Sequence, residues 1–150
     1  MTRVDFHFNV PDRADYACRL LRKVLNKGGT AVVTGNAAVL ASLNDRLWGF
    51  AETAFLGHAW LEQENDTQAV RTCARVWLTE HPAQCERHEL LVSLSDTVVS
   101  GFEHYDRLIE IVSQAEPDRQ NARKRWRYYT ARGYGIVKHD VAAGISDRVT

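Results

Sequence analysis

Four side chains that could bind a metal ion lie within sixteen consecutive positions. They are Cys73, His81, Cys85 and His88, which carry the thiol and imidazole groups that zinc prefers. Structural zinc sites usually combine two close pairs, because each pair then holds the ion from a single turn of chain. Here seven residues separate Cys73 from His81 and two separate Cys85 from His88. The irregular spacing favours isolated thiols and surface histidines, so we expect no metal site.

Residues typical of catalysis and of nucleotide binding do not form the patterns that those functions need. Ser93 and Ser95 lack the G-x-S-x-G turn of a nucleophilic serine. The sequence contains no G-x-x-x-x-G-K-[ST], and Gly35-Asn36 offers one glycine where the dinucleotide fingerprint needs three. A helix start at Asn36 could hold an anion through its free N–H groups, but an Asn-capped helix is the simpler interpretation. We therefore predict no catalytic residue and no cofactor.

The most distinctive chemistry lies in residues 116–134, which contain six basic and two acidic residues, a net charge of +4. The whole chain is neutral, so the remainder carries −4. At about 100° per helical residue, several of these side chains share one stripe about 100° wide. The stripe consists of Arg119, Arg123, Trp126, Arg127 and Thr130. Ala122 and Tyr129 are expected to face a sheet instead.

This basic, aromatic stripe has three interpretations. The plainest is a solvated helix face with Trp126 packed in the core. Arginines interleaved with aromatic rings also suit single-stranded nucleic acid, through phosphate contacts and base stacking. They suit equally an acidic peptide that ends in an aromatic residue, because arginine can bind its carboxylate while an apolar recess takes the ring. The neutral net charge favours the peptide, since a non-specific strand binder usually has a broader positive field.

The elements that would position this helix follow an α/β pattern. Residues 4–10 alternate between apolar and polar side chains, as in a strand with one wet face. Helical spacing follows from Asp12 to Asn26, then a short apolar strand at residues 30–34 and a second helix that ends near Trp48. Further strands are predicted at residues 54–56, 75–79, 89–94 and 108–112, and a last helix from Pro117 to about Arg132. The pattern predicts a mostly parallel twisted sheet with helices on both faces, Rossmann-like but without a nucleotide site.

Length and composition set the class. A chain of 150 residues with 45% hydrophobic and 25% charged residues is typical of one globular domain, so we expect residues 1–150 to form one, with a loosely ordered tail from about 137. Three cysteines are too few for a secreted disulfide scaffold and indicate a reducing compartment. The start lacks the apolar core of a signal peptide, and no run of about 20 apolar residues could span a membrane.

The segment from Ala122 to Tyr134, ARKRWRYYTARGY, resembles the C-terminal helix of the chi subunit of bacterial DNA polymerase III. Other pieces agree with that family in order and spacing. They are the opening strand at residues 4–10, Leu47-Trp48, the segment FLGH at residues 55–58, and the strand ELLVSL at residues 89–94. The likeness extends from residue 3 to about 136, and the stretch from Ala59 to Glu89 departs most.

The resemblance implies a non-catalytic replisome adaptor, in a polymerase holoenzyme that has DNA-directed DNA polymerase activity. Such an adaptor binds the psi subunit of the clamp loader and the acidic, phenylalanine-terminated tail of the single-stranded-DNA-binding protein. The psi surface would include Phe55 and Trp48. The tail site carried over from the family comprises Val112, Arg119, Arg123, Trp126 and Arg127. Trp126 replaces a more usual Tyr, and Arg119 and Arg127 stand where Lys can occur, which keeps charge and apolar area.

The resemblance also implies a cytoplasmic, nucleoid-associated protein whose contact with DNA is indirect, with a repair helicase as a further candidate partner. Two alternatives stay open. One is a small nucleotide-binding α/β enzyme with its ligand at the Gly35-Asn36 crevice. The other is direct binding of single-stranded nucleic acid by the last helix.

Overall fold

The computed structural model describes residues 2–50, 58–60, 75–85 and 89–143; the side chains of residues 48–50, 58–60 and 143 are outside that description. Seven strands form one sheet in the order β3–β4–β2–β5–β6–β1–β7, and each described pair is parallel. The strands are β1 (Arg3–Val10), β2 (Ala31–Thr34), β3 (His58–Trp60), β4 (Val76–Leu78), β5 (Leu90–Ser93), β6 (Arg107–Ser113) and β7 (Ile136–Asp140).

Three α-helices occur in the described residues: α1 (Arg13–Asn26), α2 (Ala37–Phe50) and α3 (Glu116–Ala131). Short 3₁₀ turns lie at Pro82–Gln84, Phe102–His104 and Val141–Ala143. Asp12 caps α1, because its Oδ1 accepts a hydrogen bond from the backbone N–H of Asp15 at 3.2 Å. Asn36 caps α2 in the same way through the N–H of Val39 at 2.9 Å. The N-terminal caps thus begin the first two helices where the sequence predicts.

Successive side chains of each strand point alternately into two apolar layers, one on each face of the sheet. Leu90, Val92, Ile109 and Ile111 pack in the layer that contains α1 and α2, with residues such as Leu21. The intervening side chains pack in the layer that contains α3; they include Val4, Phe6, Leu91, Leu108 and Val112. This period of two lets one short strand support both layers. Helices on both faces of a parallel sheet confirm the predicted α/β class.

Gly133 ends α3, as the sequence predicts, with φ of +80°. The N–H of Gly133 donates to the carbonyl of Thr130 at 3.1 Å, and the N–H of Tyr134 donates to the carbonyl of Tyr129 at 3.0 Å. These are the two hydrogen bonds of a Schellman motif, in which a left-handed glycine reverses the chain. The reversal sends the chain directly into β7.

The expectation of a loosely ordered tail from residue 137 is wrong for residues 137–140. Ile136–Asp140 form β7, which pairs in parallel with β1 and places Lys138 opposite Phe6. The amide of Asn9 also donates to the Asp140 carboxylate at 3.0 Å, and Val141 packs against the core. Pairing with β1 stabilises a strand whose own sequence has few apolar residues. Residues 144–150 lie outside the described part of the chain.

The other predicted strands are confirmed where the structure describes them. Val76–Leu78, Leu90–Ser93 and Arg107–Ser113 lie within or across the predicted segments. In the sheet β5 and β6 are neighbours, and β2 lies between β4 and β5. The predicted strand at residues 54–56 lies outside the described residues, and β3 follows it at His58–Trp60.

Candidate functional site

The orientation of α3 determines which of its side chains reach solvent. Its buried side chains are spaced at i, i+4, i+7 and i+11, the repeat of one helix face; they are Asp118, Ala122, Arg125 and Tyr129. The prediction that Ala122 and Tyr129 face the sheet is confirmed. Arg125, which helical spacing places off the basic stripe with Ala122 and Tyr129, is also buried, with 1% of its surface exposed.

A buried ion pair holds this face of α3 against the sheet. Arg125 Nε lies 3.2 Å from Oε2 of Glu110, a fully buried residue on β6. The hydroxyl of Tyr129 donates to the same oxygen at 2.5 Å, and Arg125 Nη1 donates to the carbonyl of Asp96 at 2.9 Å. Burial raises the pKa of Glu110, and the positive charge of Arg125 opposes that rise. These contacts fix the rotation of α3 about its axis.

The edge of α3 next to this buried face forms a pocket with β1, β6 and β7, which we call the α3 pocket. Its volume is about 250 Å³. Its lining consists of Phe6, Phe8, Val112, Arg119, Ala122, Arg123, Trp126 and Lys138. Four of the five residues predicted for a peptide-tail site, Val112, Arg119, Arg123 and Trp126, therefore line one recess.

Aromatic and aliphatic side chains form the walls of the α3 pocket. The indole of Trp126 lies beside Phe6, with ring centroids 5.2 Å apart and planes tilted by 55°. Trp126 is only partly buried, although it packs against the core. The interpretation of Trp126 as a core residue describes part of its surroundings: the indole packs against the core and also lines the pocket.

Three cationic side chains also line the α3 pocket. Arg119 and Arg123 reach the pocket from α3, and Lys138 reaches it from β7. The Lys138 Nζ lies 5.2 Å from the centroid of the Trp126 ring, within the range of a cation–π contact. The carboxylate of Glu116 lies near both arginines, 3.7 Å from Arg119 Nη1 and 3.4 Å from Arg123 Nη1.

Arg127 does not line the α3 pocket and is the exception among the five predicted residues. It is exposed on α3, one turn beyond Arg123. Sharing one helical stripe therefore does not bring every member of it to the recess. The structure brings four of the five predicted side chains to the recess, and the role of Arg127 in tail binding stays a prediction.

Four lining residues lie outside the predicted tail site: Phe6, Phe8, Ala122 and Lys138. The sequence could have placed Phe6 and Phe8 together, since alternate residues of one strand point to the same face of a sheet. Ala122 is predicted to face the sheet and does so at the base of the recess. Lys138 carries no signal in the sequence, because its position depends on the pairing of β7 with β1.

The residues assigned to a psi surface are outside what the structure describes. Phe55 lies within residues 51–57, and Trp48 lies on α2 in a part of the helix whose side chains are not described. Their assignment stays a prediction.

The α3 pocket combines the two features that an acidic peptide end requires. An apolar recess can accept one aromatic ring, and guanidinium and ammonium groups at its edge can bind a carboxylate through charge-assisted hydrogen bonds. The lining residues include no Ser, Cys, His or carboxylate side chain. The geometry therefore suits binding.

Side chains pack closely around Gly35, at the position considered for a nucleotide. A Cβ atom at Gly35 would lie 3.3 Å from Val39 Cγ1 and 3.4 Å from Leu94 Cβ. Asn36 caps α2 with its own side chain, so one of the helix N–H groups is already satisfied. Both observations weigh against the nucleotide-enzyme alternative.

Of the four residues first considered as zinc ligands, two are described by the structure. Cys85 is buried with a free thiol, and His81 is exposed. Cys73 and His88 lie outside the described residues.

A different set of three could approach a metal ion: Asp5, His7 and His139, whose ligand atoms lie within 4.8 Å of one another. The Asp5 carboxylate already accepts hydrogen bonds from Arg3 Nε at 3.1 Å and Arg107 Nε at 3.0 Å. Two guanidinium groups around one carboxylate leave a net positive charge, which repels a divalent cation. We therefore interpret the set as a structural link between β1, β6 and β7.

No helix among the described residues is both long and apolar enough to cross a membrane.

Comparisons with known proteins identify the family of the chain. Residues 1–137 match the family described as "DNA polymerase III chi subunit, HolC". The chain is 29% identical over 145 residues to "DNA polymerase III subunit chi" of Pseudomonas aeruginosa strain PAO1, a match that covers 93% of this chain and 96% of the relative. The matched region contains β1 to β6, α3 and the start of β7, and with them all lining residues of the α3 pocket except Lys138. The chain belongs to the chi subunit family of DNA polymerase III.

Proposed function

We propose that this chain is a replisome adaptor that binds the acidic C-terminal tail of single-stranded-DNA-binding protein in the α3 pocket. Its family gives it an accessory role in DNA replication, as a subunit of the polymerase III complex. On this proposal the chain has no catalytic step of its own. Its second surface, around Phe55 and Trp48, binds the psi subunit and so connects the tail to the clamp loader.

The observation that carries the proposal is the placement of cations around an apolar recess. Trp126 and Phe8, which are partly exposed, offer contact area to a terminal aromatic ring, and the buried Phe6, Val112 and Ala122 form part of the same lining. Arg119, Arg123 and Lys138 offer positive charge from two different elements. A peptide with acidic residues and a free carboxylate after its last ring matches both features. In this binding mode the pocket buries the terminal ring and the cations bind the C-terminal carboxylate.

Direct binding of nucleic acid is less well supported. The chain as a whole is neutral, and two of the α3 cations lie near the Glu116 carboxylate, so the positive field is local. Contact with DNA is then made through the single-stranded-DNA-binding protein. We place the protein in the bacterial cytoplasm at the replisome, and a repair helicase as a partner that would use the Phe55 surface.

An adaptor requires two surfaces that can be disrupted independently. The test measures binding of the Trp126→Ala and Phe55→Ala variants to immobilised psi and to the complete single-stranded-DNA-binding protein. We expect Trp126→Ala to lose the tail partner and keep psi, and Phe55→Ala to do the reverse. Melting temperatures are recorded for both variants, because truncating a core aromatic residue would cost about 3–5 kcal/mol and weaken both partners together. Loss of both partners in either variant at an unchanged melting temperature would contradict the adaptor.

A further inference from the structure

Glu116 is the first residue of α3, and its carboxylate contacts two cations of the α3 pocket. Oε1 lies 3.4 Å from Arg123 Nη1, and Oε2 lies 3.7 Å from Arg119 Nη1. Both arginines line the pocket, whereas Glu116 does not. Lys138, the third cation, has no acidic partner among the residues that the structure describes. The Glu116 carboxylate thus contacts the same two guanidinium groups that a ligand carboxylate would bind.

We propose that Glu116 is an internal competitor for the α3 pocket, which lowers the affinity for acidic tails by pairing with Arg119 and Arg123 when the pocket is empty. The inference rests on the proposed function, since it concerns the same pocket and the same acidic peptide. Under this proposal a bound tail displaces Glu116 from at least one guanidinium group. Arg119, Arg123 and Glu116 then set the affinity together.

Because these side chains are exposed, replacing Glu116 by a tail carboxylate at one arginine costs little free energy. The Arg119, Arg123 and Glu116 side chains are 46%, 54% and 56% exposed. Exposed ion pairs contribute little to stability, because water and salt screen them. A tail carboxylate can therefore take over one arginine without disrupting the fold. Glu116 also repels other acidic residues of the peptide, which adds to the same effect.

Glu116 has two other roles to be separated from competition. A negative side chain in the first turn of a helix interacts favourably with the helix dipole. Its contacts could also hold the two guanidinium groups in the orientation that a ligand needs. The first role predicts a change in stability without a change in tail affinity. The second predicts that removal of the carboxylate weakens tail binding.

The experiment measures fluorescence anisotropy of an N-terminally labelled acidic peptide ending in Phe, titrated with wild type and with Glu116→Gln. Glutamine keeps the size of the side chain and removes its charge. We expect Glu116→Gln to bind about two- to tenfold more tightly, from the loss of two exposed pairs. Glu103→Gln is the matched control: Glu103 is exposed and lies outside the pocket, so its affinity should equal that of wild type.

A double-mutant cycle then assigns the effect to the arginines. In an Arg123→Ala background one of the two pairs is already absent. The logarithm of the affinity increase caused by Glu116→Gln should therefore fall to about half or less of its value in wild type. Equal or weaker binding by Glu116→Gln overturns the inference, as does an equal gain in Glu103→Gln. If wild type itself does not bind the peptide, the proposed function fails instead. Melting temperatures show whether either variant has altered the fold.

Discussion

Arg125 of α3 and Glu110 of β6 face each other inside the protein, with Arg125 Nε 3.2 Å from Glu110 Oε2. Removing two charges from water is costly, and their attraction offsets that cost only when both partners are present. The pair therefore fixes the orientation of α3, because a rotation of the helix would separate the two charges inside the core. Since Arg119, Arg123 and Trp126 belong to the same helix, the buried pair positions the α3 pocket without touching its ligand.

The first prediction concerns that pair. Arg125→Met should destabilise the fold by about 3–5 kcal/mol, because it leaves the Glu110 carboxylate buried without its charge partner. Urea denaturation measures the loss. Arg127→Met is the control, since Arg127 is an exposed arginine of the same helix, and its change should stay within about 0.5 kcal/mol. Equal stability of the two variants would show that the buried pair does not hold α3.

The second prediction concerns how that loss depends on pH. Burial raises the pKa of Glu110, and Arg125 opposes the rise. Without Arg125 the pKa rises further, so folded Glu110 binds a proton more tightly than unfolded Glu110. Such a group stabilises the fold below its unfolded pKa, and that stability is lost as pH rises through its folded pKa.

The unfolding free energies of wild type and Arg125→Met should therefore differ less at about pH 4.5 than at about pH 8, the first close to the ordinary pKa of a glutamate side chain and the second well above it. Adding Glu110→Gln to Arg125→Met should remove this dependence and restore part of the stability, because glutamine is neutral and can still accept the hydrogen bond from Tyr129. A pH-independent difference between wild type and Arg125→Met would mean that Glu110 is not the group responsible.

The third prediction concerns His7, which is fully buried on β1 beside His139. Burial, and secondarily the nearby His139, lowers the pKa of His7 from 6.5 to about 3. Below pH 6.5 the unfolded chain takes up a proton that the folded chain does not, so this residue lowers stability as pH falls from about 6.5 toward 3.

The slope from one such proton is at most about 1.4 kcal/mol per pH unit. His7→Gln should flatten the stability profile between about pH 6 and pH 4 by up to that amount, because both values lie inside the window between the two pKa values. Denaturant titrations of both proteins across this range give the comparison. An unchanged slope would show that His7 is protonated in the fold.

Much of the fold could be predicted from local patterns. The apolar runs at residues 31–34 and around Leu91 and Ile109 identify strands, and the caps Asp12 and Asn36 identify where helices begin. These signals lie within the segments themselves. Tyr129 could be placed toward the sheet for the same reason, since helical periodicity is local.

The features that could not be predicted depend on contacts between distant segments. The burial of Arg125 requires Glu110, which sits on another element and looks like any other acid in the sequence. β7 forms because β1 offers it a free edge, so Lys138 reaches the α3 pocket from a segment expected to be loose. Arg127 shares the predicted stripe but lies beyond the rim of the recess. In each case the sequence supplies the residue, and tertiary pairing supplies its position.

The fourth prediction ranks the residues of the α3 pocket. Trp126→Ala should weaken binding of the acidic tail by about 2 kcal/mol or more, since it removes the largest apolar wall. Trp126→Tyr should retain most of the affinity because it keeps an aromatic face. Lys138→Ala should cost less, about 0.5–1 kcal/mol, as expected for an exposed cation.

Arg127→Ala serves as the internal comparison for that ranking, because Arg127 is exposed on the same helix and does not line the pocket. It should weaken tail binding less than Arg123→Ala does. Isothermal titration with one peptide measures all five variants beside wild type. A larger loss for Arg127→Ala than for Trp126→Ala would place the binding surface outside the recess.

Recognition of a free C-terminal carboxylate beside an aromatic ring is the central claim, and one calorimetric comparison tests it most directly. The wild-type protein is titrated with an acidic peptide ending in Phe, and with the same peptide amidated at its C-terminus. We expect micromolar affinity for the free acid, about −8 kcal/mol, and at least about tenfold weaker binding of the amide, because the α3 pocket cations lose a charged partner. Equal affinity for the two peptides would contradict it.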